Sequence, residues 1–354
     1  MKKIAFFMPK LDIGGIERVF ITYANELVNR GFIVDFVLCK TGGTLQTLLC
    51  DEVNIYDLGG LQLRNAFFPL RKYLKANKPD YLYTGSNYQN LLCTIVCLGV
   101  KTKVIISQHN YFDIDVKASK FSVIEKIAMR LIYPLADCII AVSDGIRNYL
   151  IGSVGLKDTD VVYLPNPIDF AYTTKKSFEK ADLELPAKYI VFIGRLTQVK
   201  NLQLLLESFD KSRIEDQDLV IVGDGECMNN LRIRTSLLSK KDKIHFIGKV
   251  SNPLPYLAKA SCLVLCSFSE ALPTILLEAL CLKVPIVSTP TKGALEIIAN
   301  VPGCYISKSF SDVDEFSRIL ELASSVIHFD NDVYLRKYDK KVVVDTFVNL
   351  LCSL

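Results

Sequence analysis

The chain has 354 residues, of which 50% are hydrophobic, so its length and composition exclude a disordered protein and favour about two domains. Its 42 Lys and Arg stand against 38 Asp and Glu, and this net charge of +4 argues against a dedicated nucleic-acid-binding protein. Apolar runs of the roughly 18 residues that a membrane-spanning helix needs are not found, so no integral membrane protein is predicted. The whole charge excess lies in residues 1–168, which carry 19 basic and 15 acidic side chains, whereas residues 169–354 carry 23 of each.

Short apolar runs alternate with segments of helical period along the chain, which is typical of parallel strands covered by helices on both faces. The helix predicted at residues 16–30 has a regular apolar stripe, and Gly31 follows it as a C-terminal cap. Strands are predicted at Ile4–Met8, Phe32–Leu38, Tyr81–Tyr83, Val104–Ser107 and Cys138–Val142, and then at Tyr189–Ile193, Leu219–Val222, Ile244–Ile247, Cys262–Leu265 and Ile286–Ser288.

A change in composition after Ile168 divides these strands into two groups. Residues 171–186 are rich in Thr, Lys and Glu, so residues 169–187 are predicted to be a linker between Rossmann-like domains at 1–168 and 188–332. The last helical segment, residues 333–354, is long enough to pack back against the first domain. The predicted fold class is therefore α/β, with two doubly wound domains facing across a cleft at the carboxyl ends of their strands.

The 11 cysteines are odd in number, scattered, and without a C-x-x-C pair, and only three histidines accompany them. A disulfide framework or a zinc site would need clustered cysteines at regular spacing. The sequence therefore predicts a reduced, cytoplasmic protein without a metal site.

Two glycines, Gly14 and Gly15, follow the first predicted strand and open the first predicted helix. Such a turn lets the backbone approach a ligand, and the helix N-terminus offers free N–H groups to an anion. The third glycine of the dinucleotide fingerprint and the lysine of a P-loop are missing, which disfavours a nicotinamide dehydrogenase and a P-loop NTPase. A tight turn without a ligand is the alternative.

Two cations follow the first predicted strand of the second domain. Arg195, directly after Gly194, can hold two phosphate oxygens at once, and Lys200 adds a point charge, so the pair suits a diphosphate. Solvated surface charge is the alternative for either residue alone.

Two glutamates separated by seven residues follow another buried strand of the second domain. Glu270 is expected in a loop, and Glu278 one to two turns into a helix that begins near Pro273. Glu270 can then meet sugar hydroxyls while Glu278 reaches a ribose, and the N–H groups of Leu272 to Thr274 can face a phosphate. An exposed carboxylate pair without a ligand is the alternative.

Together these segments, with Gly223-Asp224-Gly225, resemble the group 1 (family 4) retaining glycosyltransferases of the GT-B fold, of the bacterial surface-polysaccharide type. The resemblance covers nearly the whole chain. It implies transfer of a sugar from a nucleotide-diphosphate sugar, expected to be UDP-linked, to a glycan or lipid-linked acceptor in O-antigen, capsule or similar biosynthesis. It also implies that the enzyme needs no metal and no resident cofactor.

The resemblance implies a role for each site residue. Arg195 and Lys200 would bind the diphosphate, Glu278 the ribose, and Glu270 the donor sugar. His109, after a strand of the first domain, matches a position beside the transferred sugar. The expected catalytic residues are Glu270, Arg195, Lys200 and His109; the expected nucleotide-sugar-binding residues are Gly14, Gly15, Gly194, Arg195, Lys200, Leu272, Pro273, Thr274 and Glu278; and Asn166 and Pro167 match the segment that enters the hinge.

The chain departs from the common family pattern at Ala271 and Leu272, where many relatives have Gly and Phe. This leaves the identity of the donor sugar open but not the reaction class. Asp113-Ile114-Asp115 has the spacing of a metal-binding Asp-x-Asp in a different context, and we interpret it as a solvated turn.

Part of the N-terminal charge excess is concentrated in one predicted helix that also carries aromatic residues. Its basic residues are Arg64, Arg71, Lys72, Lys75 and Lys78, and they are interleaved with Phe67, Phe68, Leu70 and Tyr73. A basic amphipathic helix with aromatic residues predicts peripheral association with an anionic membrane surface, here the inner face of the plasma membrane. An ordinary packed helix with a solvated basic face is the alternative.

Two other function classes stay open. A GT-B-fold nucleotide-sugar epimerase or phosphorylase would share the cleft but not the two glutamates beside Arg195 and Lys200. A non-catalytic glycan-assembly subunit would have no chemical reason to keep all four of these side chains.

Overall fold

The computed structural model describes residues 1–12, 14–111, 120–326 and 332–354, and the motif at residues 113–115 lies outside them. The chain divides into two compact units. Unit 1 comprises Met1–Ile168 and Lys337–Leu354, and unit 2 comprises Asp169–Arg336. Unit 1 contains 22 Lys and Arg against 17 Asp and Glu, and unit 2 contains 20 against 21, so the charge excess belongs to unit 1.

Unit 1 is built on a seven-stranded sheet in the order β3-β2-β1-β4-β5-β6-β7, in which all neighbouring strands are parallel. The direction of winding changes between β1 and β4, as in doubly wound folds. The strands are β1 (Lys3–Met8), β2 (Ile33–Leu38), β3 (Asn54–Asp57), β4 (Tyr81–Thr84), β5 (Lys103–Gln108), β6 (Cys138–Ala141) and β7 (Val161–Tyr163). The helices between them include α1 (Gly15–Asn29), α2 (Phe67–Asn77), α3 (Asn87–Cys97), α4 (Lys120–Ile132) and α5 (Asp144–Tyr149).

Unit 2 is built on a six-stranded parallel sheet in the order β10-β9-β8-β11-β12-β13, with its change of winding between β8 and β11. Its strands are β8 (Tyr189–Ile193), β9 (Asp218–Val222), β10 (Ile244–Gly248), β11 (Cys262–Leu265), β12 (Ile286–Ser288) and β13 (Cys304–Ile306). Its helices are α6 (Phe170–Ser177), α7 (Leu202–Lys211), α8 (Met228–Thr235), α9 (Leu254–Ala258), α10 (Thr274–Cys281), α11 (Lys292–Ile298), α12 (Val313–Ser324) and α13 (Asp332–Leu335).

All ten predicted strands are confirmed, and the three that the sequence did not predict, β3, β7 and β13, are each at the edge of a sheet. None of the four residues of β3 is buried, and one of the three residues of β7 is. An edge strand has a neighbour on one side only, so its sequence need not contain the continuous apolar run that marks a central strand.

The predicted first helix is confirmed as α1, and Gly31 after it has the left-handed φ of 80° that a helix-ending glycine adopts. The C-terminal helix, α14 (Lys340–Ser353), packs on α1 within unit 1. The Phe347 ring lies 4.8 Å from that of Tyr23, and Arg30 pairs with Asp345 at 2.7 Å. The expectation that the C-terminal helix packs back on the first domain is therefore confirmed.

The predicted single helix at residues 333–354 is interrupted at Asp339. The Tyr338 carbonyl accepts the N–H of Ile168 at 2.8 Å, while Lys340 donates its N–H to the Ile168 carbonyl at 3.0 Å. These bonds replace helical ones, and the Asp339 side chain then caps α14 by accepting the N–H of Lys341 at 2.8 Å.

Part of the predicted linker is helical. Asp169 caps α6 by accepting the N–H of Tyr172 at 2.9 Å, and the helix packs on α9 and α10. Its buried residues are Thr173 and Ser177, which are small and polar. This composition explains why an apolar pattern did not predict the helix.

The basic aromatic helix is confirmed as α2, but most of its apolar side chains face the core. Leu70 and Tyr73 are buried, and the Tyr73 hydroxyl donates to the carboxylate of Asp35. Phe68 is 79% exposed, in contrast. The structure thus favours the packed alternative for most of this helix. None of the described helices combines the length and hydropathy that crossing a bilayer requires.

Candidate active site

The two predicted donor-binding segments of unit 2 follow neighbouring strands. Ile190 of β8 is paired with Cys262 of β11, so the loops after these strands lie side by side at the carboxyl edge of the sheet. This is the point where the winding direction changes, and doubly wound sheets bind ligands at such points. The fold therefore brings together the segments at residues 194–200 and 266–273.

The side chains of Lys200 and Glu270 meet between these loops. Lys200 ends a short 3-10 turn, and its Nζ lies 2.5 Å from Oε1 of Glu270. Ser267 Oγ donates to the same carboxylate oxygen at 2.6 Å. The carboxylate thus has two partners, one of them cationic, and is only 14% exposed.

Backbone contacts hold the Glu270 loop in place. Phe268 donates its N–H to the Val199 carbonyl at 2.8 Å, and Gly293 donates its N–H to the Glu270 carbonyl at 3.1 Å. Cys266 Sγ donates to the Lys200 carbonyl at 3.0 Å, and burial raises the pKa of this thiol to about 12, so it stays protonated. The loop is therefore anchored on both sides of the ion pair.

Arg195 is exposed in the loop that follows β8. The residues on either side of it, Gly194 and Leu196, are approached closely by two glycines of the loop after β9. A Cβ on Gly223 would lie 1.9 Å from the Gly194 carbonyl oxygen, and its φ of 138° also favours glycine. A Cβ on Gly225 would lie 2.4 Å from the Leu196 carbonyl oxygen. The Gly223-Asp224-Gly225 segment therefore allows a close backbone approach to the Arg195 loop.

The predicted boundary at Pro273 is confirmed, because α10 begins at Thr274 and Glu278 lies in its second turn, partly exposed. Leu272 is buried, and so is Ala271. Among the described non-glycine residues, φ is positive only at Lys78, Asn201 and Lys283, so the backbone at residue 271 does not require glycine.

Gly293 was not predicted as part of this site. A Cβ there would lie 2.7 Å from both the Ala271 carbonyl oxygen and Pro273 Cδ. Gly293 lies in α11, which follows β12, whereas the Glu270 loop follows the neighbouring strand β11. Because the two segments are separated in sequence, no local motif predicted their contact.

In unit 1, Gly14 and Gly15 lie at the N-terminus of α1, as predicted. A Cβ on Gly14 would lie 2.0 Å from a carboxylate oxygen of Glu17, whereas nothing lies within 4 Å of a Cβ on Gly15. The Glu17 side chain therefore folds back toward the end of the helix that has a partial positive charge. The sequence feature that could have predicted this contact is the acidic residue Glu17 in the first turn of α1.

His109 follows β5 and is buried, with its Nε2 2.9 Å from Ser107 Oγ. Burial lowers the pKa of its imidazole to about 3, so the ring is neutral at physiological pH. A Cβ on Gly85, after β4, would lie 3.0 Å from Nε2, and the ring centroid lies 6.2 Å from that of Phe20 in α1. Ser107, Gly85 and Phe20 therefore surround the His109 ring. These contacts were not predicted from the sequence.

The predicted site residues are distributed over both units. Unit 1 holds Gly14, Gly15, His109 and the buried Asn166 with Pro167, and unit 2 holds the others. Within the described ranges, no group of three or more His, Cys, Asp or Glu side chains is arranged to hold a metal ion.

Both halves of the chain match known families. Residues 13–172 match "Glycosyltransferase Family 4", and residues 173–326 match "Glycosyl transferases group 1". A Campylobacter jejuni protein named "GalNAc-alpha-(1->4)-GalNAc-alpha-(1->3)-diNAcBac-PP-undecaprenol alpha-1,4-N-acetyl-D-galactosaminyltransferase" is 31% identical over 314 residues, which are 84% of this chain and 82% of that relative. An Escherichia coli "UDP-Gal:alpha-D-GlcNAc-diphosphoundecaprenol alpha-1,3-galactosyltransferase" is 25% identical, covering 90% of this chain and 87% of that protein.

The fold is also found in solved structures. Anabaena HepE in complex with UDP and glucose superposes with a TM-score of 0.83 at 16% identity, with all of both chains covered. WaaG, a glycosyltransferase involved in lipopolysaccharide biosynthesis, superposes with a TM-score of 0.74 at 13% identity, covering 98% of this chain and 99% of that one. These similarities confirm the two-Rossmann-domain GT-B fold.

Proposed function

The chain belongs to the group 1 glycosyltransferase family, and from this premise we propose that it is a retaining, metal-independent hexosyltransferase that takes its sugar from a UDP-sugar. We propose that the acceptor is an undecaprenol-diphosphate-linked glycan in bacterial surface-polysaccharide assembly. The named relatives support this choice, since the name of the Escherichia coli protein specifies both a UDP-sugar and a diphosphoundecaprenol acceptor.

The observation that carries the proposal is the Lys200–Glu270 ion pair at the carboxyl edge of β8 and β11, with exposed Arg195 in the same loop as Lys200. A nucleotide sugar combines an anionic diphosphate with a hydroxyl-rich ring. In this proposal Arg195 and Lys200 bind the diphosphate, and Glu270 accepts hydrogen bonds from hydroxyls of the donor sugar. Glu278 binds the ribose hydroxyls, and the first turn of α10, after Leu272 and Pro273 and beginning at Thr274, faces a phosphate.

The proposed chemistry breaks the bond between the anomeric carbon and the diphosphate oxygen, and the electron pair leaves with the diphosphate. The acceptor oxygen forms the new bond from the same face, and its proton passes to the leaving phosphate oxygen. Arg195 and Lys200 stabilise the charge that develops on this leaving group, and removal of one such donor typically costs about 3 to 4 kcal/mol. In this mechanism the two cations neutralise charge that a metal ion neutralises in other transferases.

We assign the acceptor to unit 1, with Gly14 and Gly15 forming the turn it approaches and neutral His109 beside the transferred sugar. An imidazole whose pKa lies near 3 does not protonate a leaving group at neutral pH, so its proposed role is hydrogen bonding. The segment of Asn166 and Pro167 enters the proposed hinge.

The test is a transfer assay with a panel of UDP-sugars and undecaprenol-diphosphate-linked acceptors, with and without EDTA. We expect UDP release, retention of the α configuration by NMR, and unchanged rates with EDTA. An inverted product would contradict the mechanism, and loss of activity with EDTA would contradict metal independence. The epimerase, phosphorylase and non-catalytic alternatives are not favoured, because the curated relatives described above are transferases.

A further inference from the structure

The carboxyl group of Glu125 is buried in unit 1 without a cation beside it. Glu125 lies on α4 and is only 6% exposed. Among the described residues, its Oε1 atom has no hydrogen-bond partner and no cation contacts the carboxyl group. Burial raises the pKa of this group, and a hydrogen bond from the Asn87 side chain offsets part of the rise. Ionisation of Glu125 therefore costs the folded protein stability, and such costs are common at functional sites.

A chain of hydrogen bonds leads from Glu125 to the loop after β5. Asn87, at the start of α3, donates to Glu125, and its Oδ1 accepts from Gln108 Nε2 at 2.6 Å. Gln108 is 1% exposed, and its Nε2 also donates to the Asn110 carbonyl at 2.7 Å. Its Oε1 accepts from the Tyr133 hydroxyl at 2.9 Å. We call Glu125, Asn87 and Gln108 the Glu125 relay.

The relay ends at the backbone on both sides of His109. Gln108 precedes His109 and Asn110 follows it, so the bond from Gln108 to the Asn110 carbonyl spans the histidine. The ring itself lies 2.9 Å from Ser107 Oγ, whose only hydrogen is donated to the Thr84 carbonyl at 3.1 Å. Ser107 therefore accepts from His109, and the ring carries its proton on Nε2. Both the backbone and the ring of His109 are thus fixed by buried polar contacts.

The carboxylate of Glu125 sets the direction of every bond in the relay. An ionised carboxylate only accepts hydrogen bonds, so Asn87 turns its NH2 group to Glu125 and its oxygen to Gln108. Gln108 then offers its NH2 group to Asn87, and the second hydrogen of that group reaches the Asn110 carbonyl. A protonated carboxyl can also donate, and it no longer imposes this order. The charge of Glu125 is therefore coupled to the geometry around His109.

We propose that Glu125 is a positioning residue for the transfer reaction, which acts through Asn87 and Gln108 to hold the loop that carries His109. The inference rests on the proposed function, because it concerns the same site. Glu125 itself touches no reacting atom in this assignment. Its part is to keep the relay in one direction, so that His109 stays in one orientation beside the transferred sugar.

A second buried glutamate of unit 1 provides a contrast. Glu26 of α1 is 8% exposed, and it pairs with Arg30 and Lys340 at 2.7 Å each. Burial alone would raise the pKa of its carboxyl, but the bonds from Lys340 and Arg30 lower it. The fold therefore stabilises the charge of Glu26, whereas it opposes the charge of Glu125.

The surroundings of α4 contain few groups that could produce the same pH dependence. The elements packed most extensively on α4 are α3 and the short helical segments at residues 133–135 and 150–154, and their sequences contain no acidic or basic residue. Three of their titratable side chains have a pKa that burial raises: Tyr133, Cys93 and Cys97. The charged side chains next to Glu125 along α4 belong to Lys126 and Arg130, which are cations.

The first test is a pH profile of kcat with saturating UDP-sugar. Wild-type kcat should fall as the pH drops through the raised pKa of Glu125, because the protonated carboxyl no longer directs the relay. At neutral pH, Glu125→Gln should lower kcat at least about tenfold with an unchanged KM for the UDP-sugar, and its profile should lack this fall. Asn87→Ala, which interrupts the relay without changing a charge, should lower kcat in the same way.

Stability distinguishes this role from a structural one. Glu125→Gln removes a buried charge that has no cationic partner, so the free energy of unfolding at neutral pH should stay equal or rise. Glu26→Gln is the matched control, and it should lower stability but leave kcat and its pH profile unchanged. A Glu125→Gln protein that loses stability as this control does and keeps wild-type kcat would overturn the proposal.

An NMR titration tests the coupling without turnover. The chain has three histidines, so the ring nitrogen signals of His109 can be assigned with His109→Gln. The pKa of this ring is about 3, so a shift of its signals between about pH 5 and pH 7 reports a neighbouring group. The shift should occur in the wild type and not in Glu125→Gln.

A shift in both proteins, or in neither, would overturn the proposal. A wild type that shows the shift, in contrast to Glu125→Gln, but transfers no sugar would support the relay and refute the proposed function.

Discussion

The Nζ atom of Lys200 lies 2.5 Å from Oε1 of Glu270, across two loops that follow neighbouring strands of the unit 2 sheet. The two side chains are only 24% and 14% exposed, so solvent screens the pair less than it would screen a surface ion pair. A diphosphate that binds Lys200 must share this cation with Glu270. In the proposed site the pair would therefore couple recognition of the sugar hydroxyls to recognition of the diphosphate.

Substitution of Lys200 should reduce catalysis without unfolding the protein. Lys200→Ala removes a cation from the leaving group, and we expect turnover to fall about a hundredfold. Steady-state UDP release measures this effect, with thermal unfolding as the check on folding. The control is Lys188→Ala, because Lys188 is an exposed lysine that pairs with exposed Asp216 at 2.9 Å. Equal losses in both variants would refute a specific role for Lys200.

Substitution of Glu270 should separate recognition of the donor sugar from recognition of the diphosphate. Glu270→Gln removes a negative charge that competes with phosphate for Lys200, so UDP affinity should stay equal or rise. Turnover should fall about tenfold or more, because the contact with the donor sugar is impaired. Ser267→Ala, which keeps the carboxylate and removes one 2.6 Å hydrogen bond, should have a smaller effect. Loss of UDP binding in Glu270→Gln would contradict these assignments.

Gly223→Ala should destabilise unit 2 severely. Its Cβ would lie 1.9 Å from the Gly194 carbonyl oxygen, and the φ of 138° is unfavourable for alanine. We expect a loss of about 3 kcal/mol or more in the free energy of unfolding, measured by urea titration. Gly152→Ala is the control, since nothing lies within 4 Å of a Cβ there. A Gly223→Ala protein as stable as this control would contradict the close approach.

The buried His109 should make stability depend on pH. Its pKa is about 3 when folded and about 6.5 when unfolded, so between these values the unfolded chain binds a proton that the folded chain does not. Stability should therefore fall as the pH drops from about 6.5 towards 3, by up to about 1.4 kcal/mol per pH unit, with no contribution above about 7. His109→Gln should reduce this slope in urea titrations between pH 5 and pH 7. An unchanged slope would show that the folded protein accommodates the charged ring.

The C-terminal helix should contribute strongly to the stability of unit 1. Phe347 is fully buried against Tyr23 and Tyr83, with ring centroids 4.8 and 5.1 Å away. Phe347→Ala should lower the free energy of unfolding by about 3 to 5 kcal/mol, because it leaves a cavity. Val342→Ala on the same helix, where the side chain is 44% exposed, should change it by less than about 1 kcal/mol. Equal effects would contradict the packing of α14 on α1.

The central strands were predictable, and the segments proposed to bind the donor could be singled out, because their signals are local in sequence. A run such as Ile190 to Ile193 can be recognised without its neighbours, and so can a cation or a glutamate just beyond such a run. The edge strand β13 is only three residues long and none of its residues is buried, so it lacks the longer apolar run by which the other strands were recognised.

Contacts made across the fold could not be predicted. Gly293 supports the Glu270 loop from a helix that follows another strand, and nothing in its local sequence indicates this. The exposed apolar face of α4, formed by Val123, Ile124, Ile127 and Leu131, was not predicted, because an amphipathic sequence specifies an apolar face but not whether that face is turned to the core or to solvent. Only the packing of α3 and α4 shows that it is exposed.

The most direct test of the central claim is calorimetric titration of UDP into the wild type, Arg195→Ala and Lys200→Ala, with Lys188→Ala as the control. If Arg195 and Lys200 bind the diphosphate, each substitution should weaken UDP binding about tenfold or more, because each removes a charge-assisted contact. The control should bind as the wild type does. Wild-type affinity in both Arg195→Ala and Lys200→Ala would contradict the assignment of the diphosphate to this site.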